Sequence, residues 1–150
     1  LTQGFVAVVS PEDAEQFRYH WAAQLTDDGY VVVSRKKTLS VGRQRTVVLA
    51  REILGLTGDA LADHASRNTL DNRRPNIRPC TKSQNAQNSK TPCDSTFGAK
   101  GVHFHGRRYY AAITKDGVRY RLGGFATVEA AKAAYDRKAV ELFGDFARSA

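Results

Sequence analysis

Methionine is absent from the chain, and the first residue is Leu1. The chain is therefore expected to lack its translational start, together with a short upstream piece. No apolar run approaches the ~18 residues of a membrane-spanning helix, and no basic-then-apolar signal pattern opens the sequence. A soluble, intracellular, cytoplasmic protein without a membrane partner is expected. Only two cysteines occur, Cys80 and Cys93. They form no Cys-x-x-Cys pair, and without a secretory signal they read as reduced thiols. A zinc site drawn from both with His103 and His105 is the alternative, since alternate residues of a strand face the same way, although the spacing fits no standard zinc module.

Acidic residues are also in short supply. Fifteen Asp and Glu face 23 Lys and Arg, for a net charge of +8 and a pI of about 9.8. Such a balance suits a polyanionic partner and argues against an acidic one. Residues 1–60 carry seven charges of each sign; residues 61–99 carry six basic against three acidic, and residues 100–150 ten against five. The whole excess lies after position 60.

The 150 residues suit one ordinary domain or two small modules, and the pattern favours two. Phe5 to Ser10 reads as a strand, followed by an N-cap at Ser10, Pro11 at the first helical position and a short helix to about His20. Tyr30-Val31-Val32-Val33 and Arg45 to Leu49 read as strands of a small antiparallel sheet, with the basic Arg35-Lys36-Lys37 between them. Ala50 to Gly55 permits one or two helical turns ending at glycine. Ala62 to Asn88 is polar, rich in Arg and Asn, and too poor in apolar residues to form a core alone. Residues 89–99 have linker composition.

Asp63-His64 sets a carboxylate beside an imidazole, with Asn76 and Asn85 downstream. Phosphodiester hydrolysis needs an activated water, neutralised phosphate charge and help for the leaving 3′ oxygen. A neutral histidine can take the proton, and a hard divalent cation on oxygen ligands can supply the rest. Thr81-Lys82-Ser83-Gln84 has the form of a capping box, predicting a helix from Thr81 that carries Asn85 in its first turn and a half. An Asp carboxylate and an Asn amide oxygen suit Mg²⁺ or Mn²⁺ better than zinc.

The string Asp63-His64, Leu70-Asp71-Asn72-Arg73-Arg74-Pro75-Asn76-Ile77-Arg78 and Thr81-Lys82-Ser83-Gln84-Asn85 resembles phage HNH endonucleases, including the nicking homing enzymes. Asn76 lies twelve residues after His64, and Asn85 twenty-one after it. The resemblance implies a two-stranded hairpin followed by a helix, clamping one Mg²⁺ or Mn²⁺ ion. It casts His64 as general base, Asp63 and Asn85 as metal ligands, and Asn76 as the asparagine that pins the loop and orients the histidine. Arg73, Arg74 and Arg78 become candidates for phosphate contacts or a solvated face. The products would carry a 5′ phosphate and a 3′ hydroxyl, and a single site would nick one strand as a monomer, in the host cell of a phage or prophage. Such relatives commonly show His-Arg-Glu where this chain has Ala50-Arg51-Glu52.

After Lys100 the pattern is strand, strand, strand, helix. Lys100 to Val102, Tyr109 to Ile113 and Arg121 to Phe125 alternate as antiparallel strands, with Lys115-Asp116-Gly117 as a tight turn. Thr127 caps a helix in which Ala130, Ala131, Ala134, Tyr135, Ala139 and Leu142 recur at helical spacing, ending before Gly144. Packing Val102, Phe104, Tyr109, Ala111, Ile113, Tyr120 and Leu122 on that helix leaves His103, His105, Tyr110, Thr114, Arg119 and Arg121 on the other face. With Lys100, these form a candidate surface for double-stranded DNA. Residues 97–148 resemble the ethylene-response-factor (APETALA-type) DNA-binding domain. Tyr109 stands where that family usually has Trp, and His103 and His105 where its plant members favour Arg.

The expectation is an α+β chain of two modules. An HNH domain over 1–92 holds a small N-terminal antiparallel sheet, the hairpin and the helix; an APETALA-like domain over 96–150 has a three-stranded sheet on one helix. A DNA-binding regulator with an inactive site, or a module that only packs against the nuclease, are the rival readings.

Overall fold

The computed structural model describes residues 1–27, 29–39, 42–89 and 97–148. Mixed helices and small, mostly antiparallel sheets make an α+β architecture. The chain divides into two compact units, Leu1–Thr81 and Lys82–Ala150. The division falls before the helix expected at Thr81, whereas the expected linker, most of it with Cys93, lies outside the described residues. Among the described residues, no helix is long and apolar enough to cross a membrane.

In the first unit the strand expected over Phe5 to Ser10 shrinks to β1 (Val8–Val9). The segment Pro11–Arg18 is 3-10 rather than α-helical, with Pro11 at its start. Ser10 gives it no side-chain cap, because its Oγ accepts a 2.8 Å bond from the Arg74 backbone. β2 (Ala22–Leu25), β3 (Val31–Thr38) and β4 (Gln44–Val48) form an antiparallel sheet with β3 central. The basic Arg35-Lys36-Lys37 stretch does not lie between strands as expected but continues β3. Arg35 lies over the Tyr19 ring, 4.0 Å from its centroid, and 2.7 Å from Glu52, which lets a cation sit half-buried within a strand.

α1 (Leu49–Ile53) closes at Gly55, which adopts φ 63°. β5 (Leu61–His64), β6 (Asp71–Asn72) and β7 (Ile77–Cys80) follow. β5 pairs with β7 antiparallel, and β6 runs parallel to β1. Val33, Leu49, Ala50, Ile53 and Ile77 are buried together, so α1 fastens β7 to the sheet. Burying an aliphatic side chain such as Ile77 contributes about 2 kcal/mol. Ala50, where the resembling enzymes often carry His, is 1% exposed and is a packing position in this chain.

The second unit opens with α2 (Lys82–Asn88), one residue after the start expected at Thr81. β8 (Val102–His105), β9 (Arg108–Lys115) and β10 (Val118–Phe125) form a meander with β9 central. Asp116 and Gly117 both take positive φ, 49° and 84°, as a tight hairpin turn requires. α3 (Val128–Phe143) starts at Thr127, whose hydroxyl accepts a 3.2 Å bond from Ala130 N, and ends at Gly144. Ala131, Tyr135, Ala139 and Phe143, four residues apart, bury one helix stripe against Ala111 and Ile113. Phe104 does not join this core as expected. It is 51% exposed and packs only at the edge, its ring 5.0 Å from that of Tyr109.

Candidate active site

The β5–β7 pair sets Asp63 opposite Arg78 and His64 opposite Ile77. His64 is the last residue of β5, and the chain turns at once: Ala65 N donates to Asn76 O at 2.8 Å, and Arg67, at φ 65°, donates to His64 O. Asp63 is buried within the strand, whereas His64 is half-buried at its end, where the regular alternation of side chains stops.

Asn76 closes the loop between β5 and β7. Its Oδ1 accepts from Ser66 N at 2.9 Å and its Nδ2 donates to Asp71 O at 2.7 Å. The hydrogen bond to His64 comes from a residue that sequence reasoning did not single out. Asn72, 1% exposed, sets Oδ1 3.1 Å from His64 Nε2 and donates from Nδ2 to Thr69 O. Standing in a polar turn-like string, Asn72 gave no sign of burial, because its cover comes from the distant β1, where Val9 is its register partner.

Burial lowers the His64 pKa from its ordinary value, outweighing the Asn72 hydrogen bond and the nearby carboxylates of Asp63 and Asp71, which raise it. The ring is therefore neutral at pH 7 and able to accept a proton. Burial, with the Asp63 charge, pushes the Cys80 thiol up to about 11, so it stays protonated. Among the described residues no group of three or more His, Cys, Asp or Glu could hold a metal, and the four-residue zinc alternative includes Cys93, outside those residues.

The three arginines expected near phosphate are each held by a carboxylate. Arg73 Nε and Nη2 grip Asp71 at 2.8 and 2.7 Å, which holds the Asp71 carboxyl at about 2. Arg74 clasps the buried Asp13 at 2.9 and 2.7 Å. Arg78 Nε bonds Asp63 Oδ2 at 2.9 Å.

Asn85 is exposed on α2, in the second unit. Lys100, expected on the basic face, is instead buried. Its ammonium donates to Gln87 O at 2.7 Å and Ala86 O at 3.2 Å, satisfying carbonyls at the end of α2 that have no helical partner. On the outer sheet face, His103, His105, Arg119 and Arg121 are exposed, and His103 stacks on Tyr110 with ring centroids 5.8 Å apart. They line an open depression of about 600 Å³.

Among curated proteins, the chain is similar to an uncharacterized HNH endonuclease of Acanthamoeba polyphaga mimivirus, with 33% identity over 93 residues. The match covers 61% of this chain and 48% of that protein, so the chain spans about half the length of the relative. No protein-family profile matches the chain. No solved structure matches it.

Proposed function

We propose that this chain is an HNH-type endonuclease that hydrolyses phosphodiester bonds of double-stranded DNA with one divalent cation. The observation that carries the reading is a neutral, half-buried histidine at a strand end beside a buried carboxylate. The similarity to a viral protein named as an HNH endonuclease supports it. His64 is the general base. It takes a proton from water, the hydroxide oxygen bonds to phosphorus, the P–O3′ bond breaks, and the 3′ oxygen takes a proton from solvent. The products are a 5′ phosphate and a 3′ hydroxyl.

The donor chemistry suits Mg²⁺ or Mn²⁺: the Asp63 carboxylate supplies hard oxygen from a rigid strand. Asn85 enters as the second ligand on the register of the resemblance alone. When bound, such a cation neutralises charge on the phosphate and the leaving oxygen. Asn76 fixes the loop that follows His64. The sheet of the second unit delivers DNA through Tyr110, His103, His105, Arg119 and Arg121, and one site per monomer makes a nick.

A second reading, a DNA-binding protein with a silent site, draws on the ion pair that already neutralises Asp63. Plasmid nicking with Mg²⁺ or Mn²⁺ separates the two. Nicking by the natural chain, lost in His64→Ala and with chelator, is the expected result. No metal-dependent nicking, or full activity in His64→Ala, would refute the nuclease.

A further inference from the structure

A buried side-chain amide with both ends engaged has a fixed orientation, and Asn72 is such a group. Its Nδ2 faces Thr69 O at 3.1 Å, and a backbone carbonyl can only accept. The atom facing Thr69 is therefore the NH₂, and the atom facing His64 is the carbonyl oxygen. That oxygen lies 3.1 Å from His64 Nε2 and can likewise only accept. Nε2 must then carry the hydrogen, and in a neutral imidazole the lone pair falls to Nδ1.

From this geometry we infer that Asn72 is the positioning residue of His64, locking the Nε2–H tautomer so that Nδ1 is the atom that receives the proton from water. The inference rests on the proposed nuclease reading. Asn72 is well mounted for the task. It is 1% exposed, pairs with Val9 in the parallel β1–β6 ladder, and follows Asp71, whose backbone oxygen is held by Asn76 Nδ2. The imidazole thus takes its orientation from β6, while its backbone belongs to β5.

The test uses the full chain with ¹⁵N-labelled histidine, together with plasmid nicking. In the natural protein, the His64 Nε2 proton is expected to be seen directly and to exchange slowly with solvent, with Nδ1 unprotonated. Asn72→Leu keeps the branching and heavy-atom count of the side chain and removes the acceptor. It should mix the tautomers and lower kcat by about 100-fold, the scale of a general-base contribution, with KM little changed. Asn72→Asp keeps an acceptor toward Nε2 and should retain the Nε2–H, while its added charge raises the His64 pKa and moves the acid limb of nicking to higher pH.

An unprotonated Nε2 in the natural protein would overturn the inference. So would Asn72→Leu with an unchanged His64 spectrum and rate. Should Asn72→Leu fail to fold, the natural protein and Asn72→Asp spectra decide. A chain that shows the Nε2–H signature yet never nicks DNA refutes the nuclease reading alone and leaves the hydrogen bond standing.

Discussion

Arg78 stands directly across the β5–β7 pair from Asp63, its Nε 2.9 Å and its Nη2 2.8 Å from one carboxylate oxygen, Oδ2. The Asp63 side chain is 6% exposed and that of Arg78 22%. Removing the arginine takes a neutralising charge from a buried anion, whereas removing the aspartate leaves a cation with partial access to water. Arg78→Ala should therefore cost about 3 kcal/mol and Asp63→Ala about half of that. A divalent cation bound at Asp63 would replace the missing charge, so millimolar Mg²⁺ should restore stability to Arg78→Ala more than to Asp63→Ala. Urea denaturation with and without Mg²⁺ measures both. Equal costs with no selective rescue would separate the ion pair from metal binding.

The buried His64 gives stability a pH dependence of known sign. Its folded pKa is lowered, so above the unfolded value of about 6.5 both states are neutral. As pH falls below that value, the unfolded chain gains a proton that the folded one resists, and stability is lost until the folded pKa is passed. In chelator, the urea midpoint should fall between pH 6.5 and 5, more steeply than in His64→Gln. The acid limb of nicking should likewise lie below pH 6.5. Parallel slopes for the two proteins would show that His64 is not the group responsible.

Much of the second unit was legible because its signals are local. The Asp116-Gly117 turn, the Thr127 cap and the spacing of Ala131, Tyr135 and Ala139 each act within a few residues. β2 was missed because Ala22 to Leu25 has no strong alternation and is a strand only by pairing with β3. The candidate site was legible as a register of polar residues, but the partners of those residues were not. Asn72 on His64, Asp13 on Arg74 and the burial of Lys100 all depend on contacts between distant segments, which spacing does not encode.

Gly101 is required by two independent constraints. Its φ of 62° disfavours any L side chain, and a Cβ there would run into the Ala112 carbonyl oxygen and the Tyr135 ring. Ala112 N donates to Gly101 O at 2.9 Å, so the backbone cannot readily retreat. Gly101→Ala should destabilise the chain by about 3 kcal/mol, combining left-handed strain with overpacking. Gly29→Ala, at φ 76° with open space around it, should cost about 1 kcal/mol. Thermal denaturation of the two variants compares them directly. Similar losses would mean that Tyr135 and the β9 backbone yield to the added methyl.

Arg119, Arg121 and Lys100 carry the same charge but occupy different surroundings, so their substitutions should separate binding from folding. The two arginines are exposed on the outer sheet face, where Arg119 pairs in register with Thr114 and Arg121 with Ala112. Each Ala substitution should weaken DNA binding several-fold. Where the lost contact is to phosphate, it should also reduce the slope of log affinity against log salt by about one. Neither should change stability by more than about 0.5 kcal/mol, as usual for surface positions. Lys100→Met keeps the buried stem but strands the Gln87 carbonyl, while Ala86 O keeps the Ser89 hydroxyl at 2.6 Å. It should cost about 2 kcal/mol while leaving the salt slope unchanged below the unfolding temperature. Fluorescence anisotropy on a duplex across a salt series, paired with denaturation, reads all three variants. A reduced slope in Lys100→Met with full stability would place its ammonium on DNA and overturn its assignment to the end of α2.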